Sequence, residues 1–273
     1  MNENENLNVP ICENDATTDK QNKKKRLLWL IVFIITLVLF IASVVVLIIR
    51  LIPPKSEGEY DKFKNEVTSA VEEGILPDNP INFDAAWEYN PDVCAWIQVD
   101  GTTIDYPILQ SSDEAVEDFY LNHGLDGEYA RAGSIYIQKC NRSKFTDANT
   151  VVYGHNMANG TMFWQLRNFR NKEFFDQNRY IYVYTPGHIL KYEIFSAFVY
   201  DKRHVLNAFN FQIDEDYQAF LDECFNPTSF TKQVNDSVAV TTDDRIITLS
   251  TCTNNTEERY LVVGVLIEDT KTK

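Results

Sequence analysis

The sequence predicts a mainly β domain, a largely antiparallel barrel or sandwich of eight short strands with helices packed outside it, behind a single N-terminal transmembrane helix. Three observations predict it. Leu27 to Ile49 holds no charged residue in 23 positions, although the whole chain is 24% charged. After Pro91 the texture changes to short apolar or β-rich runs separated by turn residues, among them Asp100-Gly101, Gly124, Gly127, Gly133 and Pro186-Gly187. No Pro/Gly/Ser-rich break divides residues 59–270, which therefore read as one domain.

The uncharged block spans roughly 35 Å at about 1.5 Å per residue, slightly more than the hydrocarbon core of a bilayer. Lys23, Lys24, Lys25 and Arg26 precede it and only Arg50 follows closely. The positive-inside bias then leaves the N-terminus in the cytoplasm and residues 51–273 outside. A cleaved signal peptide is the alternative, but its apolar core would be shorter and end in a small-residue cleavage site, whereas Ala42 and Ser43 lie in mid-span here. The organisation expected is a cytoplasmic tail over residues 1–26, disordered across its polar first 22 residues. An anchor over 27–51, a linker with helices over 52–90 and the β domain over 91–273 follow.

Composition narrows the function. A chain with 44% hydrophobic and 13% aromatic residues builds a core and is not wholly disordered. Its 40 acidic against 25 basic residues, a net charge of −15, disfavour a broad nucleic-acid-binding face. Residues 1–50 hold six basic and five acidic side chains, so the remainder holds 19 basic and 35 acidic, a net of −16. Cys12 is assigned to the cytoplasmic side. Cys94, Cys140, Cys224 and Cys252 fall outside, where disulfides are chemically allowed, but four cysteines are sparse for a domain of this size and no spacing suggests zinc. Cys94, inside the apolar run VCAWI, and Cys224, on an amphipathic stretch, read as buried inert thiols.

Taken in order, the pattern from Glu59 to Glu73 sets Phe63, Val67 and Val71 on one face and predicts an amphipathic helix stopped by Gly74. A short helix follows near Phe83–Tyr89. Strands are predicted at Ala95–Val99, Ile104–Gln110, Ser134–Gln138, Thr150–His155, Arg179–Thr185, Ile189–Tyr200, Arg245–Cys252 and Tyr260–Glu268. A further helix is predicted over Asp214–Cys224, where Tyr217, Phe220, Leu221 and Cys224 share a face. Met162, Phe163, Trp164, Leu166 and Phe169 have helical spacing and read as core.

Two strand ends carry chemistry. The run Val151-Val152-Tyr153-Gly154 delivers His155, and Ile246 to Thr251 delivers Cys252. A rigid strand end can hold a reactive side chain towards solvent. A free thiol is only a few per cent thiolate at neutral pH and needs a neighbouring imidazole or cation. His155 is the candidate acid/base, and Arg259, seven residues after Cys252 across a short turn, is the candidate cation for a thiolate or an oxyanion. His123, His188 and His204 read as solvent-facing or locally hydrogen-bonded, His123 lying next to Asn122.

At these residues the chain resembles the sortases, specifically class B. Thr248-Leu249-Ser250-Thr251-Cys252 followed by Arg259, the upstream Tyr153-Gly154-His155-Asn156, the stretch YLNHGLDGEYARAGSIYI from Tyr120 and WIQVDGTTIDYPILQ from Trp96 occur in the family's order, across roughly Asp92–Glu268. The resemblance implies an eight-stranded sortase β-barrel with N-terminal helices, and the Asp214–Cys224 helix matches the extra helix of class B. It implies Cys252 as nucleophile, His155 and Arg259 as its catalytic partners, and Ser250, Tyr153 and Asn122 as residues of the peptide groove. The reaction implied is transpeptidation. A sorting motif near the carboxyl end of a secreted protein is cleaved after Thr through a thioacyl-enzyme, and the acyl group passes to an amine of peptidoglycan or of a pilin. No metal or organic cofactor is required, and the calcium loop of class A is not expected. Two rival readings of the residues are another cell-wall cysteine enzyme, of the L,D-transpeptidase kind, and a non-enzymatic anchored β domain with a structural Cys252.

Overall fold

The computed structural model describes residues 15–51, 57–68, 77–113 and 116–273. The chain divides into two units, Met1–Ile52 and Pro53–Lys273.

The first unit is one helix, α1 (Asp15–Leu51). It begins inside the stretch expected to be disordered, and residues 1–14 lie outside the described part. Once an apolar helix is nucleated each further residue adds a hydrogen bond, so helix-tolerant Lys and Gln residues extend it backwards into the polar tail. Lys25–Ile48 is apolar and long enough to cross a bilayer. Its two internal hydroxyls are satisfied within the helix, Thr36 donating to the carbonyls of Val32 and Phe33 and Ser43 to that of Phe40. A segment surrounded by hydrocarbon needs such internal pairing.

The second unit starts with α2 (Glu57–Val67) and α3 (Phe83–Tyr89). Helix α2 ends six residues before the expected stop, because Thr68 leaves it to bridge Ile81; Val71, Glu73 and Gly74 lie outside the described residues. Tyr60, Phe63 and Val67 form its buried face. Helix α3 is capped by the Asn82 side chain, which accepts from the Ala85 amide.

Nine strands follow: β1 (Val93–Val99), β2 (Asp105–Leu109), β3 (Ile135–Ile137), β4 (Asn149–Tyr153), β5 (Tyr180–Thr185), β6 (His188–Asp201), β7 (Lys232–Val234), β8 (Ile246–Cys252) and β9 (Glu258–Lys271). Eight are the strands expected from sequence. They run β5-β1-β2-β3-β4-β8-β9-β6, and β6 pairs back onto β5 to close the barrel. The ninth, β7, has three residues and pairs with Ser196–Phe198 of β6, beyond the part of β6 that faces β5. Among the described strands only β2–β3 and β4–β8 are parallel pairs. Free thiols at Cys94, Cys140, Cys224 and Cys252 show that no disulfide supports the described fold. Cys224 is buried as expected and its thiol is pushed well up, whereas Cys94 is only partly buried against the core, with desolvation pushing its thiol up to about 12.

Strand alternation divides the apolar residues between two cores. Val152, Ile247, Leu249, Tyr260 and Val262 face the barrel interior with Ile97, Ile108 and Phe163, while Trp96 points outward and stacks on Phe63 of α2. Val151, Ile246, Leu261, Val263 and Val265 face outward, where α5 (Val205–Ala208) and α6 (Asp214–Phe225) cover them. Helix α6 buries Tyr217, Phe220, Leu221 and Cys224, each large apolar side chain contributing about 1.5–3 kcal/mol. It is tied at both ends. Tyr217 donates its hydroxyl to the carbonyl of Asp244 at 2.8 Å, and Ser196 donates to that of Cys224 at 2.6 Å. The aromatic run after Met162 forms a 3-10 helix (Phe163–Arg170) that buries Phe163, Leu166 and Phe169.

Gly154, at the end of β4, has no room for a side chain. A Cβ there would sit 2.5 Å from Ile135 Cδ1 and 2.7 Å from a Phe163 ring carbon. Gly154→Ala is expected to lower the stability of the domain by about 1–3 kcal/mol, the usual size of overpacking. Chemical denaturation checks this, and a midpoint equal to that of the wild type would show that the strand end yields freely.

Candidate active site

The parallel ladder sets Tyr153 of β4 against Ser250 of β8, and the Gly154 amide continues it by donating to the Ser250 carbonyl at 3.2 Å. Thr251 then donates its buried hydroxyl to the Gly154 carbonyl at 2.7 Å. His155 and Cys252 each follow two residues after this matched pair. On the other side of β8, Cys252 is the direct partner of Arg259 at the start of β9, and Arg259 in turn is the partner of Tyr200 in β6. Strand periodicity therefore gives one transverse row, His155, Cys252 and Arg259, on the outer face of the barrel. The rows beneath it are covered by α5 and α6; this row is open.

A cavity of about 270 Å³ occupies the opening, lined by His155, Cys252, Arg259, Tyr153, Ser250 and Thr251 together with Asp118, Leu121, Tyr136 and residues of the segment after β6. The Cys252 residue is exposed, with a free thiol. His155 Nε2 lies 2.7 Å from the Leu121 carbonyl oxygen, which can only accept, so Nε2 carries a proton and Nδ1 is the nitrogen left free for proton exchange. Arg259 Nη1 donates to the carbonyls of Thr256 at 3.1 Å and Glu258 at 3.0 Å, so backbone rather than a carboxylate holds the guanidinium. Among the described residues no cluster of three His, Cys, Asp or Glu side chains is arranged to hold a metal ion.

The structure brings five of the six sequence-derived site residues into this cavity. The sixth, Asn122, is exposed at the end of a 3-10 turn (Phe119–Leu121), and its neighbour Leu121 lines the cavity in its stead. The segment has no regular periodicity, so sequence did not distinguish which of the two residues lines the cavity. His123 is held by Phe119, whose carbonyl lies 2.7 Å from Nδ1 and whose ring stacks on the imidazole. His188 pairs with Asp269 at 2.6 Å, and neither residue belongs to the cavity lining.

His204 is the residue that sequence reasoning missed. It neither faces solvent freely nor makes a local hydrogen bond; its partner is Tyr153, whose phenol oxygen lies 2.9 Å from Nε2 with the two rings stacked. The segment after β6 thus crosses the face of the sheet from β6 to β4 and forms one wall of the cavity. Only tertiary structure makes that connection, since 51 residues separate the partners.

A closed barrel whose open outer row carries a thiol, an imidazole and a guanidinium on successive strand ends defines a cysteine transpeptidase of the sortase type. Residues 97–267 match the sortase domain, and the chain belongs to the sortase family. Within it the chain is a class B sortase. It is 28% identical over 252 residues to sortase B of Staphylococcus aureus, covering 90% of this chain and 99% of that one. It is 38% identical over 173 residues to sortase B of Listeria monocytogenes, covering 63% and 66%. The fold is similar to the X-ray structure of Clostridium perfringens sortase B, with a TM-score of 0.61 and 36% identity over 68% of this chain and all of that one. Similarity to the S. aureus sortase B–substrate complex gives a TM-score of 0.63 at 29% identity, over 77% of this chain and 95% of that one. This assignment removes the L,D-transpeptidase and non-enzymatic readings.

Burial pushes the His204 imidazole below its ordinary value, with Asp118 and Glu117 acting in the opposite sense. The unfolded chain therefore takes up this proton at higher pH than the folded chain. The stability contributed is full above the ordinary histidine value and is lost as pH falls through the lowered one. His204→Gln is expected to flatten the fall in melting temperature between about pH 7 and pH 5. Parallel melting curves for variant and wild type across that range would contradict this.

Proposed function

We propose that this class B sortase is anchored by residues 27–51, with its N-terminus in the cytoplasm and the barrel outside the membrane. It joins secreted proteins to an amine at the cell surface. The strand-end row of His155, Cys252 and Arg259 is the observation that carries the reading of the chemistry. The apolar Lys25–Ile48 segment and the basic residues before it support the topology.

In the first step the Cys252 thiol gives its proton to His155 Nδ1 and the resulting thiolate Sγ attacks the carbonyl carbon of the Thr in a C-terminal sorting motif. The guanidinium of Arg259 stabilises the oxyanion of the tetrahedral intermediate. His155 gives the Nδ1 proton to the departing amine, the C–N bond breaks and a thioacyl-enzyme remains. In the second step an amine of peptidoglycan or of a pilin attacks the thioester. A C–N bond forms, the C–S bond breaks with its electron pair on Sγ, and the amine's proton goes to His155. Two activated steps replace one difficult amide exchange. Water in place of the amine would give simple endopeptidase cleavage. Tyr153 and Ser250, within the cavity lining, are the peptide contacts of this scheme. Asn122, outside it, would meet only substrate that extends past the Leu121 rim.

Cys252→Ala is expected to abolish release of a sorting-motif peptide, and Arg259→Ala to cripple it with the fold intact. Arg259→Lys is also expected to be poor, because an ammonium cannot reproduce the planar fork. Peptide cleavage followed by mass spectrometry checks all three, and turnover that survives Cys252→Ala would sink the mechanism. A thiol-reactive probe should label Cys252 strongly in the wild type and weakly in His155→Ala.

A further inference from the structure

Four formally charged side chains line the catalytic cavity, and they are not equally compensated. Lys202 pairs with Glu257 at 2.5 Å, and Arg203 pairs with Asp201 at 2.8 Å and Glu223 at 3.2 Å. Arg259 is held by carbonyl oxygens. Asp118 is held by neutral donors alone: its Oδ1 accepts from the Tyr136 hydroxyl at 2.9 Å and from the Gln138 amide at 2.7 Å, and its Oδ2 has no partner among the described residues. The donors to Asp118 sit on and just after β3, Arg259 sits on β9, and Cys252 lies between them in the strand order β3-β4-β8-β9. The Tyr136 phenol is within electrostatic reach of both the Asp118 carboxylate and the Cys252 thiol. An uncompensated anion and a guanidinium free of carboxylates thus flank the thiol.

We propose that Asp118 is an ammonium subsite of the catalytic cavity, its Oδ2 receiving a primary ammonium group of a substrate while Tyr136 and Gln138 hold the carboxylate in place. This rests on the transpeptidase reading above. The chemistry of that reaction presents ammonium groups: an alkylamine acceptor is protonated at neutral pH, since its ordinary value is near 10, and must be collected before it is deprotonated. A carboxylate already fixed by two donors needs little reorganisation to collect it. The same charge would also receive a lysine side chain of the sorting peptide, so the ammonium has two sources that the test separates.

The test uses the full chain in detergent micelles as wild type, Asp118→Asn, Asp118→Glu and Glu117→Gln. Labelling of Cys252 is timed with methanethiosulfonates that carry either a trimethylammonium or a sulfonate group. Asp118→Asn is expected to reduce the cation-to-anion rate ratio roughly five-fold, the size of a partly exposed ion pair. Glu117→Gln, which removes the same charge next door, should change it by less than about two-fold, and Asp118→Glu should largely restore it. Steady-state kinetics then identify the source. A raised KM for an alkylamine acceptor with peptide hydrolysis unchanged assigns the acceptor, and a raised KM for a lysine-containing peptide but not its glutamine counterpart assigns the sorting peptide. An unaltered labelling ratio in Asp118→Asn overturns the subsite while leaving the thiol enzyme standing, as does an unaltered KM in both arms. A Cys252 unreactive in every form overturns the transpeptidase reading, and the subsite with it.

Discussion

The parallel pairing of β4 with β8 is the constraint on which the site depends. Tyr153 and Ser250 are matched in that ladder, and the chain on both strands runs two residues further before its reactive side chain appears. A slip of one residue would turn His155 or Cys252 to the opposite face of the sheet, because side chains alternate strictly. Register is therefore chemistry here. It is held by interior burial of Val152, Ile247 and Leu249, by exterior burial of Val151 and Ile246, and by the Thr251 hydroxyl on the Gly154 carbonyl. Gly154 adds a second restraint, since Ile135 and Phe163 occupy the space where a side chain would go.

The outer face poses a different problem. It is apolar enough to need a cover, and α6 supplies one without closing the reactive row. Tyr217 and Ser196 fix the two ends of the helix through backbone carbonyls, so the cover stops short of the row that carries Cys252. The segment that leads from β6 towards α6 then leaves its own mark on the site, because His204 reaches Tyr153 and Val205 is buried among the α6 contacts. Packing energy and cavity shape are in this sense supplied by the same chain segment.

Eight strands and the α6 helix were legible in the sequence because their signals are local: period-two burial between turn residues, and a Tyr217-Phe220-Leu221-Cys224 face. The three-residue β7 was not, since Lys232, Gln233 and Val234 become a strand only by borrowing the free edge of β6. Nor was the backward extension of α1 into its polar tail, where cooperativity overrides composition. The strand-end positions of His155 and Cys252 were readable, as was the short turn to Arg259. The partner of His204 and the place of Leu121 rather than Asn122 in the cavity lining depend on contacts between distant segments and leave no local trace.

The charge distribution joins these strands of argument. A net charge of −16 on residues 51–273 favours cations over the domain as a whole, so a general field cannot by itself discriminate between positions around Cys252. Discrimination has to come from what neighbouring side chains cancel. Glu257, Asp201 and Glu223 cancel Lys202 and Arg203, which leaves Arg259 as the cation free of a carboxylate at the thiol. If those carboxylates were absent, three guanidinium or ammonium groups would compete for a developing oxyanion, and only Arg259 is the strand partner of Cys252. Among the described residues lining the cavity, local neutralisation thus leaves one cation without a carboxylate partner, set by the same β8–β9 register that carries Cys252.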